Sequence, residues 1–370
     1  MTGLPEPWGE RLSRDALRKL AFGLAIGALG GWLAHLAHVP LAWMLGALFF
    51  AMLASLMKLP AVVPLWVRAR AMVLVGMFLG ESFDGLSLAQ LSEWPLSVAA
   101  AVAYAPVAAA AAYVYYRHVA RQARLTAVCS AIPGGLTAVV LVSEALGADE
   151  RRVALAQVFR IAIVICMAPV IAFGLLGFAL PEGDVLAGRA LMSVEGFLIL
   201  LGAAVLATVL LGRLGVPVPF LLGPLIVSAV LRMAGVIDGV LPSWLVEVAL
   251  VVTGASIGTR FHGIGWGEWA GFAALTLGGT AILMAVSALF AFGVAALTTV
   301  DPFAALLAFA PGGVAEMSLI ALAIDADPGY VAVMHVVRIA FILAAVPVFG
   351  AFVRRRLDRQ SAAGARAEPR

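Results

Sequence analysis

Arg160 and Arg338 each lie inside an apolar segment, about seven residues past Val153 and about seven past Val331. A charge at that depth in hydrocarbon is costly unless it is paired or hydrated, so such residues mark solute sites or internal salt bridges. Two chemistries fit: the pair holds an anionic solute near the membrane centre, or it neutralises carboxylates there. Glu144, Glu316, Asp149 and Asp327 are the partners for a purely structural ion pair. Gln157 precedes Arg160 by three positions and His335 precedes Arg338 by three, so each pair shares a helix face. His335 could relay protons near neutral pH, or serve as a hydrogen-bonded structural residue.

Upstream of each arginine the segment is interrupted. Pro133-Gly134-Gly135 recurs 178 positions later as Pro311-Gly312-Gly313. Proline removes a backbone donor and glycine exposes the backbone, so the run ends a helix in mid-segment. In a bilayer, a broken helix survives only where protein or a wet cavity satisfies the freed groups. Paired interruptions in corresponding halves point to a transporter's binding site. Glu316, three residues after the second break, sits where a half-helix dipole favours an ionised carboxylate. It could take a coupling cation or proton, or simply cap the helix. Glu144 poses the same question in the first half. Thr137 and Ser318 add hydroxyls that could coordinate an ion or satisfy carbonyls.

The elements that must position these groups are apolar segments. In the first half they run at 17–36, 41–57, 65–83, 95–116, 125–146 and 153–180. In the second they run at 191–211, 218–233, 241–257, 269–297, 303–324 and 331–353. The second of each set is short for a span of about twenty residues. Val39-Pro40-Leu41-Ala42-Trp43-Met44-Leu45-Gly46 resembles Val216-Pro217-Val218-Pro219-Phe220-Leu221-Leu222-Gly223, and Gly76 and Gly80 match Gly254 and Gly258. The chain is a duplication. It divides into a tail at 1–16, repeats at 17–180 and 191–353 joined by a linker at 181–190, and a tail at 354–370.

If each Pro-Gly-Gly segment dips in and returns, each half crosses five times and the halves are inverted. Nearly all Lys and Arg then fall on one side with both termini, leaving Arg189 and Arg232 opposite. Twelve crossings would move Arg151, Arg152, Arg213 and Arg260 across. The tally favours inversion and cytoplasmic termini in an inner (plasma) membrane; a discontinuous helix that crosses fully stays open.

Composition agrees with the class. Of 370 residues 63% are hydrophobic and 12% charged, with mean hydropathy +1.06, which describes an all-α polytopic membrane protein. The net charge of +3 needs no nucleic acid, because loop arginines that set orientation account for it. Cys129 and Cys166 form no disulfide framework or metal pattern. Neither a P-loop nor a catalytic triad is present, so no enzyme, cofactor or metal is expected.

The twofold Pro-Gly-Gly segments with downstream arginines, joined to the Val-Pro-x-x-(Trp/Phe)-x-Leu-Gly boxes, resemble the AbrB-type membrane proteins with an internal duplication, over about residues 17–353. That family also carries the label ammonia monooxygenase and is linked to regulation of gene expression. No segment here could form the small DNA-binding β-fold of the soluble regulator of that name, and no metal ligands cluster. More distantly it is similar to carriers of the cation/proton antiporter and bile-acid-transporter type. Together these imply a secondary transporter for a small solute, anionic if the arginines bind it, coupled to H⁺ or Na⁺. The alternative is a membrane sensor that affects expression indirectly. Partners are then the solute, the coupling ion and the lipid bilayer; assembly into a homo-oligomer stays open.

Overall fold

The computed structural model describes residues 13–39, 41–83, 94–133, 139, 143, 146–175, 190–216, 218–342 and 344–345. Their regular structure is helical apart from one isolated bridge between Leu191 and Val240. The first half holds α1 (Arg14–Leu36), α2 (Ala42–Leu56), α3 (Leu65–Leu79), α4 (Pro95–Val114, continued by a π-turn at Tyr115–Val119), α5 (Arg124–Ala131) and α6 (Glu150–Pro169, continued by a π-turn at Val170–Leu175). The second holds α7 (Val194–Arg213), α8 (Pro219–Met233), α9 (Ser243–Gly258), α10 (Trp266–Leu297), α11 (Pro302–Phe309), α12 (Val314–Ala323) and α13 (Pro328–Ile342).

Six of these helices, α1, α4, α6, α7, α9 and α10 with their extensions, are long and apolar enough to cross a bilayer. Leu29, Trp32 and Leu33 on α1, and Leu198, Leu206 and Leu210 on α7, turn outward. An apolar exterior of this kind is stable only against lipid.

The duplication is visible in the backbone. α3 and α9 start at 65 and 243, α5 and α11 at 124 and 302, α6 and α13 at 150 and 328, each pair 178 apart. Even a strained turn recurs: Leu41 and Val218, which lead into α2 and α8, hold φ of 50° and 52°. That left-handed region disfavours bulky side chains.

Close contacts give the direction of each helix. Gly30 of α1 meets Gly46 of α2, whereas Gly23 meets Val62 beyond the end of α2, so the two are antiparallel. α3 therefore starts on the side where α1 starts. Gly76 of α3 lies on Leu221 of α8 and Gly80 lies on Leu225, so α3 and α8 are parallel. Gly223 of α8 meets Thr208 of α7 while Pro219 meets Gly212, so those two are antiparallel. It follows that α7 starts on the side opposite α1. α4 and α10 are likewise antiparallel, with Tyr104 against Ser287 and Tyr115 against Leu275. The repeats are inverted.

The two ends of each broken segment lie on the same side. The Asp149 amide, just before α6, donates to Thr126 Oγ1 near the start of α5 at 3.1 Å. Arg151 bonds Glu268 at 2.9 Å, placing the start of α6 beside the start of α10, on the side where α1 begins. In the second half Tyr330 at the start of α13 packs edge-on against Trp94 at the start of α4, on the other side, where α10 ends and α11 begins. Among the described residues, five helices of each half thus run from one side to the other, and the broken segment starts and ends on one side. Among the described residues outside α6 and α13, the arginines and lysines lie on the side of α1's start, with Arg232 opposite. This matches the charge tally that favours inversion.

The halves are also interlocked. α2 packs on α9 and α8 packs on α3, so α1–α3 and α7–α9 form one bundle, while α4–α6 and α10–α13 form a second. A Cβ on Gly254 would strike the Met44 carbonyl, and one on Gly76 the Leu221 carbonyl. Bare glycine surface is what lets these helices approach closely.

Candidate functional site

α5 stops at Ala131 and α11 at Phe309, each followed by an extended residue, Ile132 or Ala310, ahead of a buried proline. A helix that ends in a membrane leaves carbonyls with no intrahelical donor. The downstream helix supplies donors at both breaks. Arg160 Nη1 donates to the Ile132 carbonyl at 3.0 Å. Gln157 Nε2 donates to Cys129 and Ile132 at 3.2 and 3.1 Å, and its Oε1 accepts from Arg160 Nη2. Arg338 Nη1 donates to Phe309 at 3.1 Å and Ala310 at 2.8 Å. His335 bonds Val331 O, one turn back on its own helix, through Nδ1 at 3.0 Å. The face shared by Gln157 and Arg160 grips the first break, while at the second Arg338 alone of its pair does so and His335 bonds its own helix.

These four side chains are at most 2% exposed. Each arginine sits at the negative end of a short helix, where a cation is favoured. Three of the four carboxylates open from the sequence as partners of these arginines lie elsewhere. Asp149 pairs with Arg152 at 3.1 Å, Asp327 caps the Tyr330 amide, and Glu316 faces Arg68. Among the described residues the partners of Arg160 and Arg338 are backbone carbonyls and Gln157, because each guanidinium lies against the helix end its own repeat has opened. Gly134, Gly135, Thr137 and Glu144 lie outside the described residues.

Both breaks meet at the middle of α4. The Tyr104 ring faces the Arg338 guanidinium at 5.8 Å and touches Phe309 edge-on at 5.7 Å. The next residue, Ala105, belongs to a cluster with Ile132, Phe341 and Ile342. Arg160 and Arg338 are near enough to feel each other's charge, and Tyr104 feels both. Tyr104 Oη is 3.0 Å from Ser287 Oγ, which also reaches the Phe309 carbonyl at 2.9 Å.

Two guanidinium charges therefore share a buried centre, and among the described residues no carboxylate stands beside them. Their Nε atoms, with the hydroxyls of Ser130 and Ser318, are buried without a hydrogen-bond partner among the described residues. Buried polar atoms left in that state point to water or a ligand. The arrangement can attract and hold an anion.

Glu316 lies in the first turn of α12, 2% exposed, with Arg68 of the other bundle 3.5 Å away and Arg260 within electrostatic reach. Any side chain at Gly313 would collide with its carboxylate, and one at Gly312 with Met317. Tyr104, Ser287, Arg68 and Arg260 escaped the sequence reading. Tyr104 and Ser287 do depart from the repeat, where Ile282 and Ala109 stand in their places, and that asymmetry was the available signal.

The family model described as transition state regulatory protein AbrB matches this chain over residues 3–87 and 43–354. The uncharacterized protein YhjN of Bacillus subtilis (strain 168) is 26% identical over 368 residues, covering 90% of this chain and 93% of that one. The protein named "Putative regulator AbrB" of Escherichia coli (strain K12) is 25% identical over 353 residues, covering 93% and 97%.

Proposed function

The chain belongs to the family described as transition state regulatory protein AbrB, and from there we propose that it is a secondary carrier for a small anionic solute. It is not an enzyme in this reading. It works by alternating access across the inner (plasma) membrane, driven by H⁺ or Na⁺, with its basic side toward the cytoplasm. The observation that carries the reading is the pair of inverted hairpins whose broken ends meet around Arg160 and Arg338, with no carboxylate among the described residues to cancel their charge. Two separate bundles supply parts that can move against each other. Glu316, buried at a half-helix N-terminus, and Ser318 two residues on are the groups suited to the coupling ion.

Uptake into proteoliposomes tests this. A panel of carboxylate, sulfonate and phosphate-bearing solutes is offered under imposed H⁺ or Na⁺ gradients. At least one accumulates with the wild-type protein, and Arg160→Ala and Arg338→Ala abolish that accumulation. If solutes bind the folded protein but none ever crosses, the second reading takes over: a membrane sensor acting on gene expression. The name of the Escherichia coli relative favours that alternative.

A further inference from the structure

In an inverted repeat the two entrances to the centre are built from equivalent pieces, so each can be judged against the other. On the basic side, Leu155, Val158, Phe159 and Ala162 of α6 form one buried cluster with Leu56 at the end of α2 and with Phe261 and Ile264 beyond α9. This cluster joins the two bundles, and Phe159 meets Phe261 edge-on at 4.9 Å. The equivalent face on the other side is Val333, Val336, Val337 and Ala340 of α13. There Val333, Val336 and Val337 are part-exposed and Ala340 is exposed. Leu56 is 3% exposed, whereas its counterpart Met233 is 50% exposed.

Among the described residues a second tie between the bundles stands on the basic side. Arg68 of α3 reaches across to Glu316 of α12 at 3.5 Å. The repeat equivalents of these residues are Val246 and Ala138, so the opposite entrance cannot form that pair. The ion pair spans the two bundles, and the aromatic contact closes the same seam.

We infer that the protein is held with its basic-side entrance shut by a two-part gate, Arg68–Glu316 and Phe159–Phe261, and with the opposite entrance open beside α13. The inference takes its purpose from the carrier reading, but its test needs no solute. A gate of this kind must break when the bundles shift, because its halves belong to different bundles. The ion pair then determines how often the basic side opens.

The test uses the full chain in native membranes, with Cys129→Ala and Cys166→Ala as background. A single cysteine at Val158 or Val336 is exposed to a membrane-impermeant maleimide in right-side-out and inside-out vesicles. Val336→Cys reacts from the side opposite the basic one, at least about tenfold faster than Val158→Cys from either side, as a strongly biased two-state equilibrium requires. Adding Glu316→Gln or Arg68→Ala speeds Val158→Cys from the basic side. Equal rates in the parent, or no response to Glu316→Gln, overturn the gate. Hydroxyl-radical footprinting of residues 155–162 against 333–340 in the unsubstituted protein reads the same asymmetry where a variant fails to insert. Flux with symmetrical labelling sinks the gate alone; asymmetrical labelling without flux sinks the carrier alone.

Discussion

A guanidinium at a broken helix does two jobs at once: it satisfies carbonyls the break has exposed, and it leaves net positive charge in a dry place. Arg338 Nη1 donates to both Phe309 and Ala310, and a lysine in its place has a shorter reach and a more strongly hydrated charge to bury. Arg338→Lys is expected to lower the thermal midpoint in detergent, and Arg338→Ala to lower it further. Each carbonyl left bare costs about 1–3 kcal/mol. Tyr104→Phe removes only the hydroxyl link to Ser287 and should cost about 1 kcal/mol, with any transport retained. Uptake that survives Arg338→Ala in a folded protein would detach the arginine from function. The arginines, the breaks and the Gln/His companions were legible in the sequence because they are local and repeated. Their actual partners were not. Backbone carbonyls carry no residue label, so a reading by charge alone reached for Glu316, Asp149 and Asp327, which pair elsewhere.

At the scale of elements, the assembly depends on close helix approach at matched glycines. Gly254→Leu and Gly76→Leu each force a side chain into a neighbouring backbone carbonyl. Both are expected to lose about 1–3 kcal/mol or more, read as a reduced yield of monodisperse protein. Among the described residues aspartate caps three helices: Asp149 accepts from the Arg152 amide, Asp301 from the Phe303 and Ala304 amides, and Asp327 from the Tyr330 amide. Burial pushes the Asp327 carboxyl above its ordinary range, against the pull of the Tyr330 and Gly329 amides. The fold therefore favours its neutral form, and its contribution to stability falls as pH rises through that raised value. Asp327→Asn should accordingly be close to neutral at pH 7, whereas Asp149→Ala costs about 1 kcal/mol in thermal unfolding. The duplication and the segment boundaries could be read from apolar runs. The exchange of α3 and α9 between halves could not, because nothing local to Gly76 names α8 as its neighbour.

For the whole molecule, inversion and re-entrance are one statement: hairpins entering from opposite sides can bring both breaks to a shared centre. Charge placement suggested this, and the helix contacts supply the directions. The Arg68–Glu316 tie and the unequal seams belong to this scale and lie beyond sequence, since they arise from how the two bundles rest against each other. The most direct measurement is side-specific labelling of single cysteines at Ala123, Glu150, Thr299 and Asp325, the ends of the two broken segments. The account predicts that Ala123→Cys and Glu150→Cys label from one side, and Thr299→Cys and Asp325→Cys from the other. Labelling of the two members of either pair from opposite sides would contradict it.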